Sequence, residues 1–124
     1  MIDFENAKFA KLRPVSIDSF KKTVSPILAL GEEMVAAFQG IRDGVVFTNR
    51  RLIVINVQGM TGMKKDITSL PYRRIQAFSV ETAGFLDLDS ELILWYSGLG
   101  KITIEFLSTS NIASICKIIS EHTL

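Results

Sequence analysis

The sequence predicts a mainly β fold: a seven-stranded antiparallel sandwich or partly open barrel, capped by a C-terminal α-helix and preceded by a helical N-terminal extension. Two observations predict it. Short β-branched and aromatic runs are separated by Gly, Pro and Asn turn residues in the middle of the chain, and apolar residues recur at helical spacing near both ends. The predicted strands span residues 34–38, 45–47, 52–57, 64–70, 76–81, 91–96 and 101–107.

The length of 124 residues leaves room for one domain with its own core. Within it we expect residues 1–30 to form an N-terminal tail and a kinked helix, and residues 31–124 to form the β domain. Residues 1–15 mix apolar and basic side chains and are expected to form a weak amphipathic turn or a tail.

The kinked helix follows from apolar residues at helical spacing after Ser16, with Ser16 or Asp18 able to cap its start. Pro26 removes a backbone donor and disfavours α geometry at the residue before it. We therefore expect a kink or two short helices ending near Gly31.

The central segment 43–57, DGVVFTNRRLIVINV, predicts a β-hairpin. Two apolar runs flank a polar turn that contains Asn49, a residue that tolerates positive φ. At the C-terminus, residues 111–123 place Ile112, Ile115, Cys116 and Ile119 on one stripe behind Ser110, and this pattern predicts an amphipathic helix.

Four motifs in one order resemble the bacterial pleckstrin-homology (PH-like) domain family of small uncharacterised proteins. They are FTNRRLI at 47–53, QGMTGMKK at 58–65, SLPYRRI at 69–75 and FSVETAGFLDLDSEL at 78–92. The resemblance runs from about Gly31 to the C-terminus. It implies a sandwich plugged by the last helix, and members of this family look like ring-forming homo-oligomers.

Composition limits the classes of partner. With 14 Lys+Arg and 13 Asp+Glu, the chain has almost no net charge, so we expect no nucleic-acid partner and only weak membrane contact. One cysteine excludes an internal disulfide and favours the reducing cytoplasm. No apolar run is long enough to span a bilayer.

Catalytic constellations are nearly absent from the sequence, so we expect no enzyme and no cofactor. His122 lies near the end of the last predicted helix and is expected to be a solvated surface residue, while Cys116 on the apolar stripe is expected to be a core thiol. The glycine-rich segment 58–65 lacks the ending of a phosphate loop. Asp87, Asp89 and Glu91 share one strand face, but they are too few for a calcium loop, and no metal site is predicted.

A candidate anion patch comes from the dibasic pairs, and its residues are Arg50, Lys64, Lys65 and Arg73. Lipid-binding PH domains gather several cations around the first hairpin loop. Here that loop, residues 39–44, carries one arginine beside an aspartate, and this departure argues against phosphoinositide recognition.

Excess apolarity points to self-association. Residues 52–57 and 92–96 are apolar on both strand faces, so something must cover the second face. The N-terminal helix covers part of it, and a neighbouring subunit is the natural candidate for the rest. The candidate contacts are Ile53, Ile55, Val57, Ile93 and Trp95. Trp95 is expected to be largely buried, under the helix or in a subunit contact.

The sequence therefore predicts a non-enzymatic, cytoplasmic, self-assembling scaffold or protein-interaction module. We expect a homo-oligomer, as a ring or a dimer, with a protein partner as a further candidate. The alternative function is a peripheral lipid-headgroup or anion binder.

Overall fold

The computed structural model describes residues 1–58, 64–82, 89–107 and 112–124. Its strands form a curled, eight-stranded sheet in the order β5-β4-β3-β2-β1-β8-β7-β6, with a C-terminal helix packed against it. The strands are β1 (Lys8–Val15), β2 (Met34–Gln39), β3 (Gly44–Thr48), β4 (Arg51–Gln58), β5 (Lys64–Pro71), β6 (Ile75–Thr82), β7 (Ser90–Tyr96) and β8 (Gly100–Phe106). The predicted fold class is confirmed, and each predicted strand is present as one of β2 to β8.

The first strand was not predicted. Residues 8–15, expected as a turn or tail, form β1, which pairs parallel to β8 and antiparallel to β2. Its buried side chains, Phe9 and Leu12, are three residues apart because the register shifts between them, and Lys11 there has a φ of 54°. This irregularity hides the period of two by which a strand is recognised.

The N-terminal helical extension is present as a helical cap, which we define as residues 17–27. It comprises a 3-10 turn (Ile17–Phe20), one turn of α-helix α1 (Lys21–Val24) and a second 3-10 turn (Ser25–Ile27). Of the two predicted caps, Ser16 is the one that forms, because its Oγ accepts a hydrogen bond from the Asp18 N–H at 3.2 Å. Pro26 lies in the second 3-10 turn, where the α-helix has already ended.

The predicted hairpin is formed by β3 and β4, but Asn49 does not adopt positive φ. Its side chain instead ties the turn to the preceding segment. Asn49 Oδ1 accepts from the Glu33 N–H at 2.9 Å, and Asn49 Nδ2 donates to the Gly31 carbonyl at 3.2 Å.

Two apolar clusters lie on opposite faces of the sheet. The main core is inside the curl, where Phe38, Phe47 and Phe106 pack their rings together. Helix α2 (Ile112–Thr123) covers this core with Ile115 and Ile119. The second cluster lies between the helical cap and the outer face of β2 to β4, and its buried members are Phe20, Val24, Ala37, Val46, Ile53 and Ile55.

The N-terminal residues link distant strands of the sheet. The Met1 ammonium group pairs with Asp66 of β5 at 2.6 Å, and the Ile2 N–H donates to Thr68 on the same strand. A few residues later the Ala7 carbonyl accepts from the Thr103 N–H of β8. Among the described residues, no helix has the length and apolar character needed to cross a membrane.

Candidate functional site

A cleft opens where the end of the helical cap, the β3–β4 turn, the end of β5 and the end of α2 meet. Its volume is about 460 Å³, which lies in the range of small-molecule sites. We call it the arginine cleft, and it is lined by Ile27, Ala29, Glu32, Arg50, Arg51, Pro71, Arg73 and His122.

A buried ion pair forms the fixed wall of the arginine cleft. Arg51 Nε donates to Glu32 Oε2 at 2.8 Å and Arg51 Nη2 donates to Glu32 Oε1 at 2.9 Å, so the two side chains meet in a two-pronged geometry. The Glu32 side chain is only 1% exposed and that of Arg51 is 20% exposed. The remaining guanidinium donors reach the Ile27 carbonyl and Ser69 Oγ.

The Glu32 carboxylate is satisfied by further donors. It accepts hydrogen bonds from the Ala29 N–H at 2.9 Å and from Thr48 Oγ1 at 2.7 Å. Burial alone would raise the pKa of Glu32, but the bonds from Arg51, Ala29 and Thr48 outweigh it and hold this pKa below its usual value. Glu32 is therefore ionised at neutral pH, and its charge is matched by Arg51.

Arg50 and Arg73 supply the remaining positive charge of the cleft. Both side chains are exposed. The turn places them side by side in the fold, because the Tyr72 N–H donates to the Arg50 carbonyl at 3.1 Å. Within the described part of the chain, neither guanidinium has a carboxylate partner. In this dibasic pair Arg50 is exposed to solvent, whereas Arg51 is held in the wall of the cleft by its hydrogen bonds to Glu32.

The predicted anion patch is split by the fold. The structure brings Arg50 and Arg73 together at the cleft, whereas Lys64 and Lys65 start β5 at its other end. In the β4–β5 register Arg51 faces Pro71 and Gln58 faces Lys64. These two ends of the pairing are seven residue steps apart along the strand, which is roughly 20 Å. The four residues therefore do not form one patch.

His122 completes the rim of the cleft. It is exposed, as expected, and it lies in the last turn of α2, which ends at Thr123. Its Nδ1 lies 2.7 Å from the Ile118 carbonyl oxygen, and its ring centroid is 5.7 Å from that of Tyr72. Tyr72 is itself buried and donates its hydroxyl hydrogen to the Thr48 carbonyl, and burial raises the pKa of that hydroxyl.

The predicted oligomer contacts fall into two groups. Ile53 and Ile55 are 0% and 2% exposed because the helical cap covers them, so they offer no surface to a partner in this conformation. Val57 and Ile93 are half-buried, and Trp95 is 45% exposed. Trp95 does not lie under the helical cap, so the first of its two predicted positions is wrong. A position in a subunit contact stays a prediction.

Trp95 belongs to a surface on β6 and β7, which we call the outer face and define as the apolar Ala77, Ile93 and Trp95 together with the polar Ser79. In the register Ala77 lies opposite Trp95, and Ser79 opposite Ile93. On the other side, Lys101 of β8 faces Trp95 and places its Nζ 5.4 Å from the ring centroid. None of the described residues forms a segment that covers this surface as the helical cap covers β2 to β4.

The remaining sequence predictions have simpler outcomes. Cys116 is half-buried against the main core, where burial raises the pKa of its thiol and disfavours the reactive thiolate. The described residues contain no group of three or more His, Cys, Asp or Glu that could hold a metal ion. Asp87, most of the glycine-rich segment 58–65 and the N-cap Ser110 lie outside the described residues.

Sequence reasoning missed three features of the cleft. It did not single out Glu32, it assigned no functional role to Ile27 or Ala29, and it did not connect the exposed His122 with Arg50 and Arg73. The pairing of Glu32 with Arg51 joins residues 19 positions apart, and no local period connects them. The only hint in the sequence was the adjacent pair Arg50–Arg51. Neighbouring residues of a strand point to opposite faces, so one of the two arginines would need a buried partner.

Comparison with known proteins places this fold in a family. The model of the bacterial PH domain matches residues 3–123. The chain belongs to the bacterial PH domain family. It is 43% identical over 108 residues to the uncharacterised protein YjqA of Bacillus subtilis (strain 168), with 86% of each chain covered.

Two solved bacterial PH structures are similar to this chain. A DUF1696 family protein with a PH domain from Shewanella loihica PV-4 is 39% identical, with a TM-score of 0.80 over 93% of this chain and 99% of the other. The PH domain from Shewanella amazonensis SB2B is 40% identical, with a TM-score of 0.66 over 89% and 90%. The matched range of the family model, residues 3–123, includes β1 and the helical cap.

Proposed function

We propose that this bacterial PH domain is a non-enzymatic module of the cytoplasm that assembles with copies of itself through the outer face. The observation that carries the proposal is a contrast between two strands. Ile53 and Ile55 of β4 and Ile93 and Trp95 of β7 place apolar side chains on the second side of their strands, yet among the described residues only the pair on β4 is covered, by the helical cap. In the outer face the Trp95 side chain is partly exposed to solvent, whereas the corresponding apolar side chains of β4, Ile53 and Ile55, are buried.

The edge of the sheet supports the same surface. Among the described residues β6 is the last strand of the sheet and pairs only with β7, so the backbone N–H and C=O groups of its other edge have no strand partner. An edge strand beside an exposed tryptophan provides both backbone hydrogen bonds and an apolar anchor, which are the two elements of strand-addition interfaces.

The geometry of the contact decides the assembly. If the outer face meets the same face of another copy, the assembly stops at a dimer. If it meets a different surface, repeated contacts give a ring when the rotation closes and an open filament when it does not. A β5 edge lies at the opposite end of the strand order and is the natural counterpart for the β6 edge in a head-to-tail contact. We favour the ring for that reason.

The test is light scattering coupled to size exclusion on the unmodified chain and on Trp95→Lys. We expect a homo-oligomer that Trp95→Lys converts to a folded monomer. The matched control is Ile41→Lys, because Ile41 is 97% exposed and lies in the β2–β3 loop, away from the outer face. It should leave the mass unchanged.

Ile55→Lys is not a suitable probe, because Ile55 packs under the helical cap and a charge there would disrupt the fold. A stable monomer for the unmodified chain at micromolar concentration would overturn the proposal. So would an oligomer whose mass survives Trp95→Lys.

A further inference from the structure

We propose that the arginine cleft binds a small organic phosphate: a phosphate monoester whose anionic group meets Arg50 and Arg73 and whose organic part lies against Ile27, Ala29 and Pro71. All five residues line the same cavity of about 460 Å³. This site is separate from the outer face, and neither proposal depends on the other.

Charge balance is the first argument. The cleft contains three arginines and one carboxylate, but the Glu32 charge is taken up by Arg51 through two direct hydrogen bonds. Arg50 and Arg73 leave two positive charges that no described carboxylate neutralises. A phosphate monoester carries about −1.5 to −2 charges at pH 7, so it matches this excess better than a single carboxylate does.

Preorganisation is the second argument. Arg51 is held at four acceptors, among them the Ile27 carbonyl at 2.6 Å and Ser69 Oγ at 2.9 Å, so the wall of the cleft is already in place. The Tyr72 N–H bond to the Arg50 carbonyl fixes the two loops that carry the free guanidinium groups. A rigid wall lowers the entropy lost when a ligand binds.

The lining favours an organic phosphate over the inorganic ion. Ile27, Ala29 and Pro71 present apolar surface beside the arginines, which inorganic phosphate would leave uncovered. Two guanidinium groups suit phosphate because their N–H donors are arranged to meet two oxygens at once. His122, at the rim, adds a further nitrogen at the mouth of the cleft.

The experiment is titration calorimetry of the full chain with phenyl phosphate, with inorganic phosphate as the comparison ligand. We expect phenyl phosphate to bind more tightly than inorganic phosphate. Arg50→Gln and Arg73→Gln should each weaken binding about tenfold, as expected for loss of a charge-assisted hydrogen-bonded pair. Thermal melting of each variant checks that the fold is kept, and both side chains are exposed, so we expect little change.

The matched control is Lys64→Gln with Lys65→Gln, which removes two charges from the far end of β5 and should leave the affinity unchanged. A second arm adds phosphatidylcholine vesicles with and without phosphatidic acid, a phosphate monoester on a lipid. Arginine-dependent retention on phosphatidic acid would support the proposal and identify a lipid as a source, while binding in solution alone would indicate a soluble metabolite.

Two outcomes would overturn the proposal. One is the absence of binding to phenyl phosphate and to phosphatidic acid alike. The other is an equal loss of affinity in the lysine control and the arginine variants, since that would show attraction by net charge rather than a site.

Discussion

The two halves of this sheet carry the same sequence pattern and end in different environments. In the first half, the outer side of β2 to β4 is sealed by the helical cap, and Ile53 and Ile55 are buried. In the second half, the outer side of β7 leaves Ile93 half-buried and Trp95 45% exposed. An apolar strand face in the sequence therefore does not show by itself whether the same chain covers that face.

The covered half is also the half that is fastened. Arg51 of β4 holds the end of the helical cap through the Ile27 carbonyl and holds Glu32 just beyond it. Gly44 opens β3 and leaves room for Phe20, whose ring presses on the sheet at that point. In the second half the described contacts are the Lys8–Glu91 ion pair at 3.8 Å and the close approach of Phe4 to Gly100, and Trp95 stays 45% exposed beside them.

The largest expected effect comes from breaking the buried ion pair between Arg51 and Glu32. Arg51→Met would leave the Glu32 carboxylate buried without its partner, and we expect a loss of about 3 kcal/mol in the free energy of unfolding. Urea denaturation measures it. Arg50→Met, the adjacent exposed arginine, is the control and should change stability by less than about 0.5 kcal/mol. Equal losses in the two variants would contradict the role given to the buried ion pair.

A matched pair of truncations compares the halves directly. Ile53→Ala removes a buried side chain from under the helical cap and should cost about 2–4 kcal/mol. Ile93→Ala removes the same atoms from the half-buried outer face, so the loss in the separated subunit should be under about 1 kcal/mol. Denaturation of both in the Trp95→Lys background keeps association out of the comparison. Similar losses would mean that the two halves are covered alike.

Gly44 tests how closely the helical cap is fitted to the sheet. A Cβ at this position would lie 2.4 Å from the Phe20 ring, so we expect Gly44→Ala to cost about 1–3 kcal/mol. In a Phe20→Leu background the clash between the new Cβ and the Phe20 ring should largely disappear. Gly44→Ala should then cost only a few tenths of the stability that it costs in the unmodified chain. A cost that does not depend on residue 20 would show that the glycine serves the backbone of β3 instead.

The smallest expected effect lies at the junction of the halves. Lys11 of β1 has a φ of 54°, where a residue with a side chain is strained, and β1 joins β2 to β8. Lys11→Gly should relieve this strain and raise stability by about 0.5 kcal/mol after the extra entropy of the unfolded glycine. Lys8→Gly, on the same strand with no such φ, should instead destabilise. Thermal melting of the two variants decides the sign.

Much of the fold could be predicted from the sequence because the strands from β2 onward have regular apolar periods and clear turn residues. β1 escaped because its irregularity places Phe9 and Leu12 three residues apart. The residues of the candidate cleft could be predicted only in part from the sequence. Arg50 and Arg73 were singled out as basic residues, but Lys64 and Lys65 were grouped with them. Which basic residues share a cavity depends on strand register and on Glu32, and neither is written in the local pattern.

The outer face is the central claim, and the single tryptophan of the chain reports on it directly. The measurement is acrylamide quenching of Trp95 at micromolar concentration in the unmodified chain and in Ala77→Lys, which places a charge opposite Trp95 while keeping the indole. We predict that the unmodified chain protects Trp95 and that Ala77→Lys exposes it as its mass falls to that of a monomer. Equal quenching in both proteins, at the level of a half-exposed side chain, would contradict an assembly built on this face.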